Sequence, residues 1–128
     1  IGEKFMKYKS LHTCIRVTNL EKSIEFYEKA LGMEVTSKKD FPEDEFTLVY
    51  MTSDHNYEIE LTYNYGKTDY THGDFYGHMA FEVEDLKKSH EYHKSLGYEV
   101  DELGGLEGVA TFYFMKDPDG FNIEIIGK

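Results

Sequence analysis

Cysteine is nearly missing from this chain. Cys14 is its only one, so no internal disulfide can form, and a reducing, cytoplasmic compartment is expected. It falls in a strand pattern, where the sequence predicts buried filler rather than a nucleophile. Basic residues are scarce as well. Fourteen Lys and Arg against 25 Asp and Glu give a net charge of −11, which excludes nucleic acid and anionic membrane surfaces as partners. A small anionic substrate would need local basic residues to overcome that field. No apolar run approaches the roughly 20 residues that span a bilayer. The polar N-terminus lacks the apolar core of a signal peptide, and Met6 is either an internal residue or a native start. With 40% apolar and 16% aromatic residues, disorder is excluded too. A single domain over residues 1–128 is expected.

What is present centres on Tyr57–Gly66, YEIELTYNYG. Its alternation puts Ile59, Leu61 and Tyr63 on one side of a strand and Glu58, Glu60, Thr62 and Asn64 on the other. A carboxylate in mid-strand wants an explanation. FNIEIIG near the C-terminus repeats the pattern around Glu124. Each glutamate follows, at a similar distance, a strand-like segment opening on a histidine: His12 in LHTCIRV and His78 in GHMAFEV.

The rest of the chain reads as two copies of one unit. Leu11–Val17 is predicted as a strand with His12, Cys14 and Arg16 on one face. Thr18 or Asn19 can cap a helix whose apolar positions are Leu20, Ile24, Tyr27 and Leu31, and Gly32 ends it. Strands are predicted over Met33–Thr36, Phe46–Thr52 and Tyr57–Tyr63, giving β-α-β-β-β. The second half follows suit: strand His78–Val83, a helix from Leu86 to Leu96 capped by Asp85 and ended by Gly97, extended structure at Tyr98–Asp101, then strands Thr111–Met115 and Phe121–Ile126 around a DPDG turn. Matches at surface and cap positions, such as Lys22/Lys88 and Ser23/Ser89, point to an internal duplication. The modules are expected at residues 7–65 and 76–128, with an ordered linker at 66–75. Linker length alone leaves open whether the modules close a barrel within one chain or between two.

These stretches resemble the vicinal oxygen chelate superfamily, and within it glyoxalase I (lactoylglutathione lyase) of the bacterial Ni-activated type. LHTCIRVTNLEKSIEFYEKALGM (11–33), IELTYNYG (59–66), YGHMAFEV (76–83) and DPDGFNIEII (117–126) carry the likeness. The resemblance implies an α+β fold of paired βαβββ modules forming curved eight-stranded half-barrels, completed across a homodimer. It implies a metal held by His12 and Glu60 of one chain and His78 and Glu124 of the other, with Arg16 and Asn64 binding the glutathione part of the substrate. Some members place basic residues before the second GH and in a later loop. Here those places read Asp74-Phe75-Tyr76 and Leu106-Glu107-Gly108, which puts the thiol cosubstrate in question.

Two imidazoles and two carboxylates with room for two waters describe an octahedral divalent site suited to Ni, Co, Mn or Zn more than to a closed structural zinc, and the resemblance to the bacterial Ni-activated group adds to a preference for Ni²⁺ or Co²⁺ over Zn²⁺. A lone strand His or Glu is more often a solvated residue than a ligand, but four at duplicated positions reverse that reading. His55, His72, His90 and His93 lack such pairing and are expected in loops or on the helix surface. Chelation of two vicinal oxygens stabilises an enediolate. The implied substrate is the hemithioacetal of methylglyoxal and a thiol, with Glu124 the base and Glu60 its partner for the other enantiomer. The rivals are an acyl-CoA epimerase, such as one acting on methylmalonyl-CoA, another metalloenzyme of the superfamily, and a metal-free drug-sequestering protein.

Overall fold

Alternation in the strand segments and two capped amphipathic helices fix ten elements in chain order. They are β1 (His12–Val17), α1 (Leu20–Leu31), β2 (Glu34–Phe41), β3 (Phe46–Thr52), β4 (Glu58–Asn64), β5 (Met79–Glu82), α2 (Leu86–Ser95), β6 (Gly104–Leu106), β7 (Val109–Lys116) and β8 (Asn122–Ile126). The structure is a computed structural model and describes residues 6–106 and 109–127. Glu107 lies outside the described residues. The order is βαβββ twice over.

Each module forms one four-stranded mixed sheet, ordered β1-β4-β3-β2 and β5-β8-β7-β6. β1 runs parallel to β4, and β5 parallel to β8, because a helix and a hairpin separate the partners in sequence. Neither sheet closes on itself, and β1 and β5 each keep one edge unpaired among the described residues.

The helices seat the sheets. Asn19 caps α1, its side chain accepting from the Lys22 N–H at 3.1 Å, and Gly32 ends the helix in the left-handed conformation at φ 63. Asp85 caps α2 in the same way. The buried stripe of α1 is Ser23, Phe26, Tyr27 and Ala30, while Leu20, Ile24 and Leu31 are only partly buried. The stripe is rotated from the sequence expectation because α1 packs against the second module as well as its own sheet. Phe26 packs against Tyr98 with ring centroids 4.7 Å apart and ring planes tilted by 58°.

Three further expectations change. β2 reaches Phe41 rather than Thr36, since its hairpin ladder with β3 continues as far as Phe41 opposite Phe46. Tyr98–Asp101 forms no strand; only Val100 bridges to Met115. His90 and His93 are buried rather than on the helix surface, at 6% and 2% exposure. Burial is tolerated because both ring nitrogens of His93 and Nε2 of His90 find partners. His93 Nδ1 lies 2.6 Å from the Tyr113 hydroxyl and its Nε2 2.7 Å from the Ala30 carbonyl, while His90 Nε2 lies 2.8 Å from the Asp101 carbonyl.

Polar bonds tie the modules into one body. Thr18 donates its hydroxyl to Asp119 at 2.6 Å, and Tyr92 donates to the Lys29 carbonyl at 2.8 Å. One continuous core, including Val17, Met51, Leu61, Leu86, Tyr113 and Ile123, fills the space between the sheets and helices.

Candidate active site

The faces of β1 and β4 that turn away from this core carry the polar residues. Their parallel register sets Cys14 opposite Glu60 and Arg16 opposite Thr62. His12, one pleat before Cys14 on the same face, brings Nε2 to 3.3 Å from Glu60 Oε2. The second module repeats the arrangement with Ala80 opposite Glu124, and His78 Nε2 lies 3.2 Å from Glu124 Oε1. Both carboxylates are mostly shielded, with side-chain exposures of 13% for Glu60 and 18% for Glu124. The four residues thus form two matched His–Glu pairs.

The pairs do not converge within the chain. His78 borders a cavity of about 370 Å³ shared with Thr13, Met33, Tyr57 and Ile59. Thr13 and Ile59 lie on the opposite face of β1 and β4 from His12 and Glu60. Among the described residues, no three of His, Cys, Asp and Glu stand close enough to hold one metal.

The surroundings of Glu60 were not foreseen. Tyr50 donates its hydroxyl to Glu60 Oε2 at 2.5 Å, and Thr62 donates to Oε1 at 3.0 Å. Burial acts to raise the Glu60 carboxyl. The bonds from Tyr50, Cys14 and Thr62, together with the neighbouring His12, outweigh it and hold the group below its ordinary value. The same bond pushes the Tyr50 phenol up to about 12, with burial and the Glu60 charge adding to it. The β3–β4 hairpin register, which sets Tyr50 opposite Glu60, was the signal that could have found this contact.

Cys14 corrects the sequence reading. It is exposed on the polar face of β1 rather than buried, with Sγ 3.2 Å from Thr62 Oγ1. Alternation with His12 requires that placement. Partial burial raises its thiol pKa, against the lowering contact with Thr62.

Arg16 lies further along the same face and lines a cavity of about 160 Å³ with Tyr70, His72, Tyr76 and Phe121. Asn64 is not in that wall, but its Nδ2 donates to the Tyr70 hydroxyl at 2.9 Å. The linker therefore brings aromatic rings to Arg16 and Asn64. His72 anchors it, with Nε2 2.7 Å from the Asp119 carbonyl. Asp74 is exposed in the turn before β5.

Residues 9–125 match the Glyoxalase/Bleomycin resistance protein/Dioxygenase superfamily, across both His–Glu pairs. This chain belongs to the glyoxalase superfamily. It is 42% identical to a lactoylglutathione lyase of Neisseria meningitidis over 123 residues, covering 92% of this chain and 89% of that protein. Among solved structures, the trypanothione-dependent glyoxalase I of Leishmania major superposes with a TM-score of 0.86 at 39% identity, covering 94% of this chain and 87% of that one. Glyoxalase I of Zea mays gives 0.85 at 34% identity, covering 94% of this chain but 44% of the maize chain. The expected paired-module α+β fold of this superfamily is the fold observed.

Proposed function

We propose that this chain is a metal-dependent glyoxalase I that isomerises the hemithioacetal of methylglyoxal and a thiol to the 2-hydroxyacyl thioester. The observation that carries the reading is the pair of matched His–Glu couples, at 3.3 and 3.2 Å, on duplicated strands of a glyoxalase-superfamily fold. Relatives named lactoylglutathione lyase support it.

The donor set suits a divalent first-row metal: imidazole nitrogens and carboxylate oxygens, partly exposed and already paired. One couple supplies only two donors, too few for a metal shell. His12 and Glu60 of one chain would therefore hold the ion together with His78 and Glu124 of the partner subunit, in a homodimer. When bound, the metal supplies positive charge where the enediolate develops its anionic charge. Ni²⁺ or Co²⁺ fits this oxygen- and nitrogen-rich set better than Zn²⁺, which is content with four ligands.

The protein's own groups do the proton work. The Glu124 carboxylate takes the C1 proton, the C1–H electron pair becomes a C1–C2 double bond, and the C2 carbonyl becomes an alkoxide. Return of the proton to C2, with the C1 hydroxyl proton passing to the C2 oxygen, leaves C1 as the thioester carbonyl, so atoms and electrons balance with no outside oxidant. Arg16 and Asn64 hold the glutathione portion, Arg16 as the fixed positive charge in a strongly acidic chain. A reducing, cytoplasmic setting suits the exposed free thiol of Cys14. No described helix is long and apolar enough to cross a membrane.

A second reading changes only the thiol. Exposed Asp74, where a basic residue would meet the glutathione carboxylates, favours a glutathione derivative with fewer free carboxylates. Both readings are tested on purified protein by metal analysis and by reconstituting metal-free protein with Ni²⁺, Co²⁺ or Zn²⁺. Assays then use hemithioacetals of glutathione and of glutathione amides. Turnover should follow Ni²⁺ or Co²⁺ above Zn²⁺, and a lower KM for the amides would select the second thiol. No turnover with any metal and thiol would reject the glyoxalase reading.

A further inference from the structure

The two modules share a backbone register but surround their glutamates differently. Glu60 lies opposite Tyr50 on β3 and Cys14 on β1, with Thr62 two residues further along β4. Around Glu124 the matching places hold Phe114, Ala80 and Ile126. A polar trio has become an apolar one. Both oxygens of Glu60 accept hydrogen bonds, Oε2 from Tyr50 at 2.5 Å and Oε1 from Thr62 at 3.0 Å, besides the contact with His12. Glu124 has no side-chain partner but His78 among the described residues. The rings correspond as well. Tyr50 lies edge-on to His12 with centroids 5.4 Å apart, and Phe114 edge-on to His78 at 5.1 Å. The phenol oxygen is the part that Phe114 lacks.

We propose that Tyr50 is a positioning residue that pins Glu60 and makes the active site handed, so that only one enantiomer of the hemithioacetal is isomerised. The inference rests on the glyoxalase reading above. A thiol adds to methylglyoxal without an enzyme, so C1 forms in both hands equally. Proton abstraction needs a carboxylate free to swing to C1. Glu124, unheld except by His78, has that freedom. Glu60 would first have to give up two hydrogen bonds made to its charged form, while Tyr50 and Thr62 lost their acceptor. The hand whose proton faces Glu60 is left unreacted until it reverts to aldehyde and thiol and re-forms.

Stopped-flow with metal-loaded enzyme in molar excess over hemithioacetal reads this directly. In the wild type, the fast phase should consume about half of the substrate, the hand that faces Glu124. The remainder should follow at a rate independent of enzyme concentration. In Tyr50→Phe the fast amplitude should grow toward the whole. Phe114→Tyr, which offers Glu124 the same bond, should slow the fast phase. A second readout needs no turnover: Co²⁺ affinity of metal-free Tyr50→Phe, measured by calorimetry, should fall by about 10–100-fold, as expected when a ligand loses the group that orients it. A single phase consuming all substrate in Co²⁺-binding wild type overturns the inference and leaves the glyoxalase reading intact. That test stands even if a variant fails to fold. An unchanged amplitude or an unchanged Co²⁺ affinity in folded Tyr50→Phe also overturns it. Wild type that binds no Co²⁺ and consumes neither hand rejects the glyoxalase reading and this inference with it.

Discussion

Tyr27 of α1 donates its hydroxyl to Asp117 Oδ2 of the second module at 2.7 Å, with both residues buried. Asp117 also accepts from the backbone N–H groups of Asp119 and Phe121, both at 2.9 Å, and so organises the DPDG turn. Burial still raises its carboxyl above the ordinary value despite these bonds. Tyr27→Phe removes the only side-chain donor to Asp117 among the described residues and leaves a buried carboxylate oxygen unpaired. The expected cost is about 1–3 kcal/mol. Urea unfolding should show a lower midpoint with the same slope, and an unchanged midpoint would deny this bond its structural role.

His93 should make stability depend on pH in a definite direction. Burial lowers its imidazole below the ordinary 6.5, more than the bond to the Ala30 carbonyl raises it. The folded state then binds this proton less tightly than the unfolded chain. Its contribution is complete above pH 6.5 and is lost as pH falls through the lowered folded value. The stability advantage of wild type over His93→Gln should therefore shrink between about pH 7.5 and about pH 5. A constant advantage across that range would place the titration elsewhere.

Glu124→Gln separates proton transfer from metal retention. The amide oxygen still ligates weakly but cannot accept the C1 proton. Turnover should drop by about 10²–10⁴-fold, measured as kcat in protein whose metal content matches wild type. Near-normal kcat with metal in place would move the base to Glu60.

Arg16→Ala should act on binding. Arg16 lines an aromatic-walled cavity whose walls include none of His12, Glu60, His78 and Glu124, so its interaction should serve ground and transition states alike. KM for the glutathione hemithioacetal should rise about tenfold or more while most of kcat survives, as loss of a charge-assisted hydrogen bond predicts. If KM stays unchanged for every thiol tested, Arg16 does not contact the thiol portion.

The sequence by itself determined the modules and the faces of their strands. Period-two alternation around Glu60 and Glu124, the caps Asn19 and Asp85, and Gly32 at the end of α1 are local signals, and local backbone preference is enough to realise them. It also placed His12 and Arg16 on one face, because side chains an even number of residues apart on a strand, here four, point the same way. Tertiary structure decided everything that depends on which surfaces meet. His90 and His93 became core residues only because α2 packs on Tyr113 and on the end of α1, where carbonyls and a phenol await their nitrogens. Alternation already put Cys14 on the side of His12, but that this face stays open instead of packing into the core was decided by the tertiary structure, and so Cys14 is exposed and not buried filler. The difference between Glu60 and Glu124 was hidden for the same reason. It lies in Tyr50 and Phe114, ten residues away along the chain in each case, and only cross-strand pairing brings them opposite their carboxylates.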